Sequence, residues 1–335
     1  MEKVLVTGGS GFIGIHLVDY LDEIGYQVAN IDLQPPINTK HLDKWTQLSI
    51  LNFKDLQIFM NNFQPNYIVH LAAVTTQDAT SLNEFNVNIT GTQNLLEISE
   101  KLDHLEKFIF ASSQYAVTPG SNHDLEKPSK PYGLYGESKL IGEELTKCLL
   151  VSTSWTIIRP ATIWGPWHTI LSKGLWNQID KRKYLHPLTD NAIKGYGFVK
   201  NSAWQIGKIL TAPKALTDHE TFYIGDENLK QSVWVKEFHK SLTGKDLRYV
   251  PNALIFILSE IGELLLKIGV TPPIFRSRFR NLVTSNPVPL EKTLTRFGKP
   301  PTELKDAVRE TVLWYTWYSR LKADRSNQQY DFDIK

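Results

Sequence analysis

Three glycines near the N-terminus restrict what this chain can fold into. Lys3 to Thr7 is an apolar run of strand length, followed at once by Gly8-Gly9-Ser10-Gly11-Phe12-Ile13-Gly14 and then by a helical pattern to about Gly25. Gly8, Gly11 and Gly14 stand where a tight turn, a close backbone approach to a ligand and close helix packing each exclude a side chain. The first N–H groups of such a helix lie at the positive end of its dipole, so the turn suits a pyrophosphate. A second strand, Gln27 to Asp32, ends in a carboxylate 18 residues beyond Gly14. That carboxylate can accept hydrogen bonds from an adenosine ribose and would repel a 2′-phosphate, and Leu33 and Gln34 supply no cation after it. The expected cofactor is NAD.

The alternation continues. Asn66 to Ala72, Lys107 to Ala111 and Trp155 to Arg159 read as further strands, with helical patterns over 53–62, 84–102 and 135–151 between them. This rhythm implies a Rossmann-like, doubly wound α/β fold, a parallel sheet with helices on both faces and ligands beyond the carboxyl ends of the strands. Past Gly165 the rhythm weakens. Ser202 to Leu210, Val233 to Leu242 and Glu303 to Tyr318 look helical, and Thr221 to Ile224 resembles a strand. The expected division is an NAD-binding domain over 1–165 with returning segments near 195–225. A smaller, partly helical C-terminal substrate lobe takes 166–194 and 226–325, and a polar tail 326–335.

Composition narrows the function classes. With 37 Lys+Arg against 35 Asp+Glu in 335 residues, no charge excess points to nucleic acid. Cys148 is the single cysteine, which rules out an intrachain disulfide and a cysteine metal cluster. The start of the chain lacks the pattern of a secretory signal, so a cytoplasmic location is expected. The most apolar stretch, 253–270, is broken by Glu260, Glu263 and Lys267 and falls short of a membrane span. Its Leu254, Ile257, Ile261, Leu264 and Leu265 recur at helical spacing. The expectation is a helix packed within the protein or at an oligomer interface, with a membrane-surface helix as the alternative.

Tyr135-Gly136-Glu137-Ser138-Lys139 carries the chemistry. On a helix Tyr135 and Lys139 share one face, so a phenol and an ammonium meet. A phenol alone is a poor base at neutral pH, and a nearby cation favours its phenolate. Ser113, with Ser112 beside it, follows a strand and can orient a carbonyl or alcohol. The three groups suit proton transfer at an oxygen while a nicotinamide exchanges hydride with the attached carbon. His168 and His186 stand apart from any carboxylate cluster, so no metal is expected.

The chain resembles the extended short-chain dehydrogenase/reductase family, especially its NAD-dependent epimerase/dehydratase (sugar-nucleotide) branch. The resemblance rests on GGSGFIG at 8–14, Asp32, HLAA at 70–73, NVNITGTQNLLE at 86–97, FASS at 110–113, YGESK at 135–139 and RPATIWGP at 159–166. It implies that Ser113, Tyr135 and Lys139 are the catalytic trio. It also places Phe12, Ile13, Leu33, Leu71, Ala72, Ala73, Asn88 and Pro160 near the cofactor with the glycines, Asp32, Tyr135 and Lys139, and sets Ala111 and Ser112 beside the nicotinamide. His70 is assigned to supporting the sheet. A homodimer through helices near 89–102 and 135–151 is likewise implied.

Two departures bear on ligand binding. Ser49, within Leu-Ser-Ile-Leu-Asn at 48–52, stands where relatives often carry an adenine-binding aspartate. Gln114 and Tyr115 follow Ser113, and neither offers the acidic assistance that elimination needs. Candidate substrate contacts besides Ser113 and Tyr135 are Gln77, Thr162, Trp164, Trp167, His168, Arg182, His186 and Arg278, aromatic faces for stacking and arginines for a diphosphate. The expected activity is oxidation, reduction or epimerisation at a carbinol or keto carbon of a nucleotide-linked sugar. A hydroxysteroid-like or other small-alcohol dehydrogenase is the alternative, and an NAD-binding regulatory protein the remaining one.

Overall fold

A computed structural model of the chain describes residues 1–121, 123, 129–270 and 272–323; the polar tail expected at 326–335 lies outside the described residues. The first half runs β1 (Lys3–Thr7), α1 (Phe12–Glu23), β2 (Gln27–Asp32), β3 (Trp45–Gln47), α2 (Phe53–Phe63), β4 (Tyr67–His70), α3 (Thr92–Ser99), β5 (Lys107–Ala111), α4 (Gly133–Leu149) and β6 (Trp155–Pro160). After it come β7 (Thr162–Trp164), α5 (Thr169–Leu171), α6 (Asn177–Asp180), β8 (His186–Pro187), β9 (Ile193–Phe198), α7 (Val199–Thr211), α8 (Lys214–Thr217) and β10 (Glu220–Ile224). The chain continues with β11 (Glu227–Lys230), α9 (Gln231–Thr243), β12 (Tyr249–Val250), α10 (Asn252–Lys267), α11 (Arg276–Val283), α12 (Glu291–Phe297) and α13 (Leu304–Ala323).

Seven parallel strands form the central sheet in the order β10-β6-β5-β4-β1-β2-β3. The period-2 pleat, buried on both faces, explains why Val4, Leu5 and Val6 of β1 are all apolar. Val4 and Val6 pack with Leu17, Val18 and Leu21 of α1 and Ile206 and Ile209 of α7, while Leu5 packs on the other face with Leu56 and Met60 of α2 and Leu95 of α3. Chain order reverses between β1 and β4, where Thr7 pairs with His70. The loops leaving these two strands therefore open a crevice at the carboxyl edge.

Some boundaries moved. The helix expected over 84–102 is divided into a 3₁₀ turn at Leu82–Phe85, a π-helical turn at Val87–Gly91 and then α3. β3, absent from the sequence reading, pairs with β2 at the sheet edge. The polar Lys107 at the start of β5 is buried because its Nζ donates to Ile209 O, Leu210 O and Ala212 O, closing the last carbonyls of α7.

Beyond β6 a second layer forms around β11-β9-β7. Its core is aromatic: Trp164, Trp176, Phe198, Trp234, Phe238 and Trp314 lie in one buried cluster. Of the expectation that 253–270 packs within the protein or at an oligomer interface, the first part is corrected. α10 buries only Ile255, Ser259 and Gly262, and Leu254, Ile257, Ile261 and Leu264 face outward.

Candidate active site

The glycine turn after β1 is tight enough to exclude side chains. Gly8 has φ +73°, and a Cβ there would lie 2.6 Å from Ala72 N; a Cβ on Gly14 would lie 2.3 Å from Gly8 O. Gly11 is the N-cap of α1, no side chain caps it and no acid occupies the first turn, so the leading N–H groups are left for an anion. Ser10 N and Gln34 N both donate to Asp32, at 3.2 and 3.0 Å, which fixes the carboxylate at the end of β2 and leaves lone pairs for ribose hydroxyls. This cradle and its acid fit NAD. Phe12 and Ile13 open α1, Leu71, Ala72 and Ala73 leave β4, Pro160 ends β6, and Leu33 is exposed beside Asp32. Ser49 Oγ accepts from Leu51 N within its own loop, at 3.2 Å.

Two side chains expected at the cofactor are otherwise engaged. Asn88 Nδ2 donates to Val74 O and Ser138 Oγ, and its Oδ1 accepts from Val74 N, so its polar atoms hold the loop after β4. Ser112 Oγ donates to Glu143 Oε1 at 2.5 Å and is turned into the interior. His70 supports the sheet as expected: its ring bonds Thr7 Oγ1 at 2.6 Å and Thr92 Oγ1 at 2.9 Å, and burial holds it neutral with a pKa down at about 3.

Ser113, Tyr135 and Lys139 do come together. Ser113 ends the run from β5, its Oγ accepts from Tyr115 N at 3.1 Å, and its hydroxyl lies near enough to the Tyr135 phenol to draw the pKa of that phenol down. Gly136 makes this possible, since a Cβ there would lie 2.1 Å from Tyr115 O and push α4 off the serine loop. One turn on, Lys139 Nζ donates to Ala111 O at 2.8 Å. Burial pushes the Tyr135 phenol up to about 12, against the pull of Ser113, so it rests protonated. Burial also draws the Lys139 ammonium down to about 8, with Glu143 opposing.

Behind the trio lies a polar network that the sequence reading missed. The buried carboxylate of Glu143 takes Arg159 Nε at 2.8 Å and NH2 at 2.7 Å as well as Ser112. Arg159 NH1 reaches Tyr223 OH, which meets His123, and His123 meets Asn286. Asn286 Nδ2 then donates to Gln114 Oε1, and Gln114 Nε2 to Thr162 Oγ1. Glu143 was legible as the next position on the Tyr135–Lys139 face, whereas Asn286 sits 172 residues from Gln114 and carries no local signal.

The nominated substrate contacts separate. Gln77 is exposed on the loop after β4, and Thr162 meets Gln114. Trp164, 1% exposed, packs on Phe198, Trp234 and Phe238, and Trp167 packs on Trp314 and Trp317, so both are corrected to core. His186 is also interior, between Tyr184 OH and Asp190. His168 packs on Phe12 at 4.6 Å, beside the glycine turn. Arg182 sits in an exposed left-handed turn after α6, and Arg278 donates to Pro273 O and stacks on Phe275. No described hydrogen bond or ion pair joins either arginine to the trio or to Gln114. Among the described residues, no group of three metal-ligating side chains occurs.

Known proteins resemble the chain in sequence and fold. The decarboxylating sterol-4-alpha-carboxylate 3-dehydrogenase of Candida albicans is 25% identical over 348 aligned positions, covering 94% of this chain and 97% of that protein. Mouse UDP-glucose 4-epimerase is 30% identical over 181 positions, 47% of this chain, and the match spans only 52% of the mouse protein. The fold matches the solved Thermus thermophilus UDP-glucose 4-epimerase in complex with NAD, with a TM-score of 0.71, 20% identity and coverage of 94% and 99% of the two chains. The profile of the NAD dependent epimerase/dehydratase family matches residues 4–225, which takes in the glycine turn, Asp32 and the Ser113–Tyr135–Lys139 grouping. The chain belongs to that family of NAD-dependent enzymes.

Proposed function

We propose that the chain oxidises, reduces or epimerises a nucleotide-linked sugar at a carbinol or keto carbon, with Ser113, Tyr135 and Lys139 acting at the reacting oxygen. The placement of Tyr135 and Lys139 one turn apart on α4, with the Ser113 hydroxyl near enough to lower the phenol pKa, supports the reading. Bound NAD supplies the site that accepts or returns the hydride. Tyr135 takes the proton from the alcohol oxygen in oxidation and gives it back in reduction. Its resting protonation, with a pKa up at about 12 from burial, suits the donor role directly. In the reverse direction the Lys139 cation lowers the cost of the phenolate, and Ser113 orients the oxygen by a hydrogen bond. Thr162, oriented by Gln114, keeps a hydroxyl proton to offer to a hydroxylated ring. We assign the cofactor to Gly8, Gly11, Gly14, Asp32 and the loop at 71–73, and a homodimer to the outward faces of α3 and α4, where Leu140, Ile141 and Leu145 line a shallow groove.

A second reading, an apolar ring alcohol as in a hydroxysteroid-type dehydrogenase, is favoured by the near full-length similarity to the Candida albicans sterol enzyme. A product screen by isomer-resolving mass spectrometry, with NAD or NADH and a panel of nucleotide sugars and steroid alcohols, tests both. Conversion of a nucleotide sugar that Tyr135→Phe abolishes, with NAD binding kept, supports the first reading. Conversion of an apolar alcohol alone replaces it with the second.

A further inference from the structure

We propose that α10 and α11 form a docking face for an anionic lipid bilayer surface, on which the enzyme lies as a peripheral protein. α10 is inverted relative to an ordinary core helix. It packs through its small residues: Ser259 is buried, and a Cβ on Gly262 would lie 2.0 Å from Ile274 O. Its bulky side chains point outward, with Leu254, Ile257, Ile261, Leu264 and Ile268 44–72% exposed along one face and Phe256 beside them. No described helix is long and apolar enough to cross a membrane, so such a face lies along a bilayer.

Charge decides between occupants. Both carboxylates of α10 turn toward α11, where Glu260 pairs with the Arg276 side chain and Glu263 accepts from Arg276 N. The segment Arg276–Val283 holds three arginines and no acid. The exposed Lys267 at the end of α10 and Arg280 on the adjoining α11 have no carboxylate partner among the described residues, so the rim of charge beside the apolar face is cationic. Two copies related by a twofold axis would set this rim against its own likeness. An anionic bilayer accepts the aliphatic side chains and attracts the rim together. The inference stands apart from the choice of substrate.

The test is co-sedimentation of the full chain with vesicles of phosphatidylcholine alone or mixed with phosphatidylglycerol, beside light scattering without vesicles. Binding is expected to the mixed vesicles and to weaken about tenfold or more in Lys267→Glu/Arg280→Glu, in Ile257→Gln/Leu264→Gln and at high salt. These side chains are exposed, so both variants should keep the thermal midpoint of the parent. Failure to bind either vesicle overturns the proposal. So does a dimer that Ile257→Gln/Leu264→Gln dissociates without any vesicle binding, which assigns the face to a second copy. Equal binding of parent and both variants removes α10 and α11 from the contact.

Discussion

Replacing Arg159 by methionine keeps its apolar volume but strands the Glu143 carboxylate in the interior. The side chains are 5% and 1% exposed, and Arg159 supplies two of the three hydrogen bonds that Glu143 receives. Burial opposes charge on Arg159, yet Glu143 holds the guanidinium above even its ordinary range, so the pair is tightly linked. Removing one member of such a pair costs about 3–5 kcal/mol. For a chain of this length that is a fall of about 4–7 °C in thermal midpoint, from the usual unfolding entropy per residue. Arg159→Met/Glu143→Leu removes both charges, leaving Ser112 without its acceptor, a loss of about 1 kcal/mol. The double variant should therefore recover most of the stability, and a double-mutant cycle by urea denaturation should return a coupling of about 5 kcal/mol or more. A coupling below about 1 kcal/mol, or a double variant no better than Arg159→Met, would refute the claim that the pair holds the back of the site.

Gly14→Ala sets a Cβ against Gly8 O, so NAD affinity measured by fluorescence titration should fall about a hundredfold or more while Tyr135→Phe leaves it within a few-fold; normal affinity in Gly14→Ala would mean the turn can shift. Tyr135→Phe should in turn lower kcat about 10²–10⁴-fold, the usual reach of acid–base catalysis, and a smaller loss in a single-turnover assay would move the proton role elsewhere. Burial lowers His16 to about 4 and His70 to about 3, so the unfolded chain binds more protons than the folded one below about pH 6.5. The stability from keeping these rings neutral is complete above about pH 6.5 and lost as pH falls toward those values, on the order of 3 kcal/mol for His16 and 5 kcal/mol for His70. His70→Gln should flatten the fall of thermal midpoint over that window, and an unchanged slope would show that other groups set it. Asn286→Leu removes the donor to Gln114 and the partner of His123, so denaturant titration should register a loss of about 1–3 kcal/mol; a neutral result would mean that water replaces both bonds.

Local sequence determined the glycine turn, the acid after β2, the alternation of strands and helices and the Tyr135–Lys139 face, because each rests on neighbours within one turn or one strand. Spacing of 2 or 3.6 residues sets these, and backbone sterics enforce them at Gly8 and Gly14. Tertiary structure decided the rest. Trp164 and Trp167 read as stacking surfaces in isolation, and only the convergence of β7, β9, α9 and α13 turned them into core. Asn88 and Ser112 sit at the expected edge, but partners at Val74 and Glu143 decide where their polar atoms point. The link from Asn286 to Gln114 joins residues brought together only when the second layer packs on the sheet. The outward turn of α10 follows from a choice between two faces. The apolar pattern names the helix, but the close approach of Ile274 to Gly262 selects the small face for the protein and leaves the large one outside.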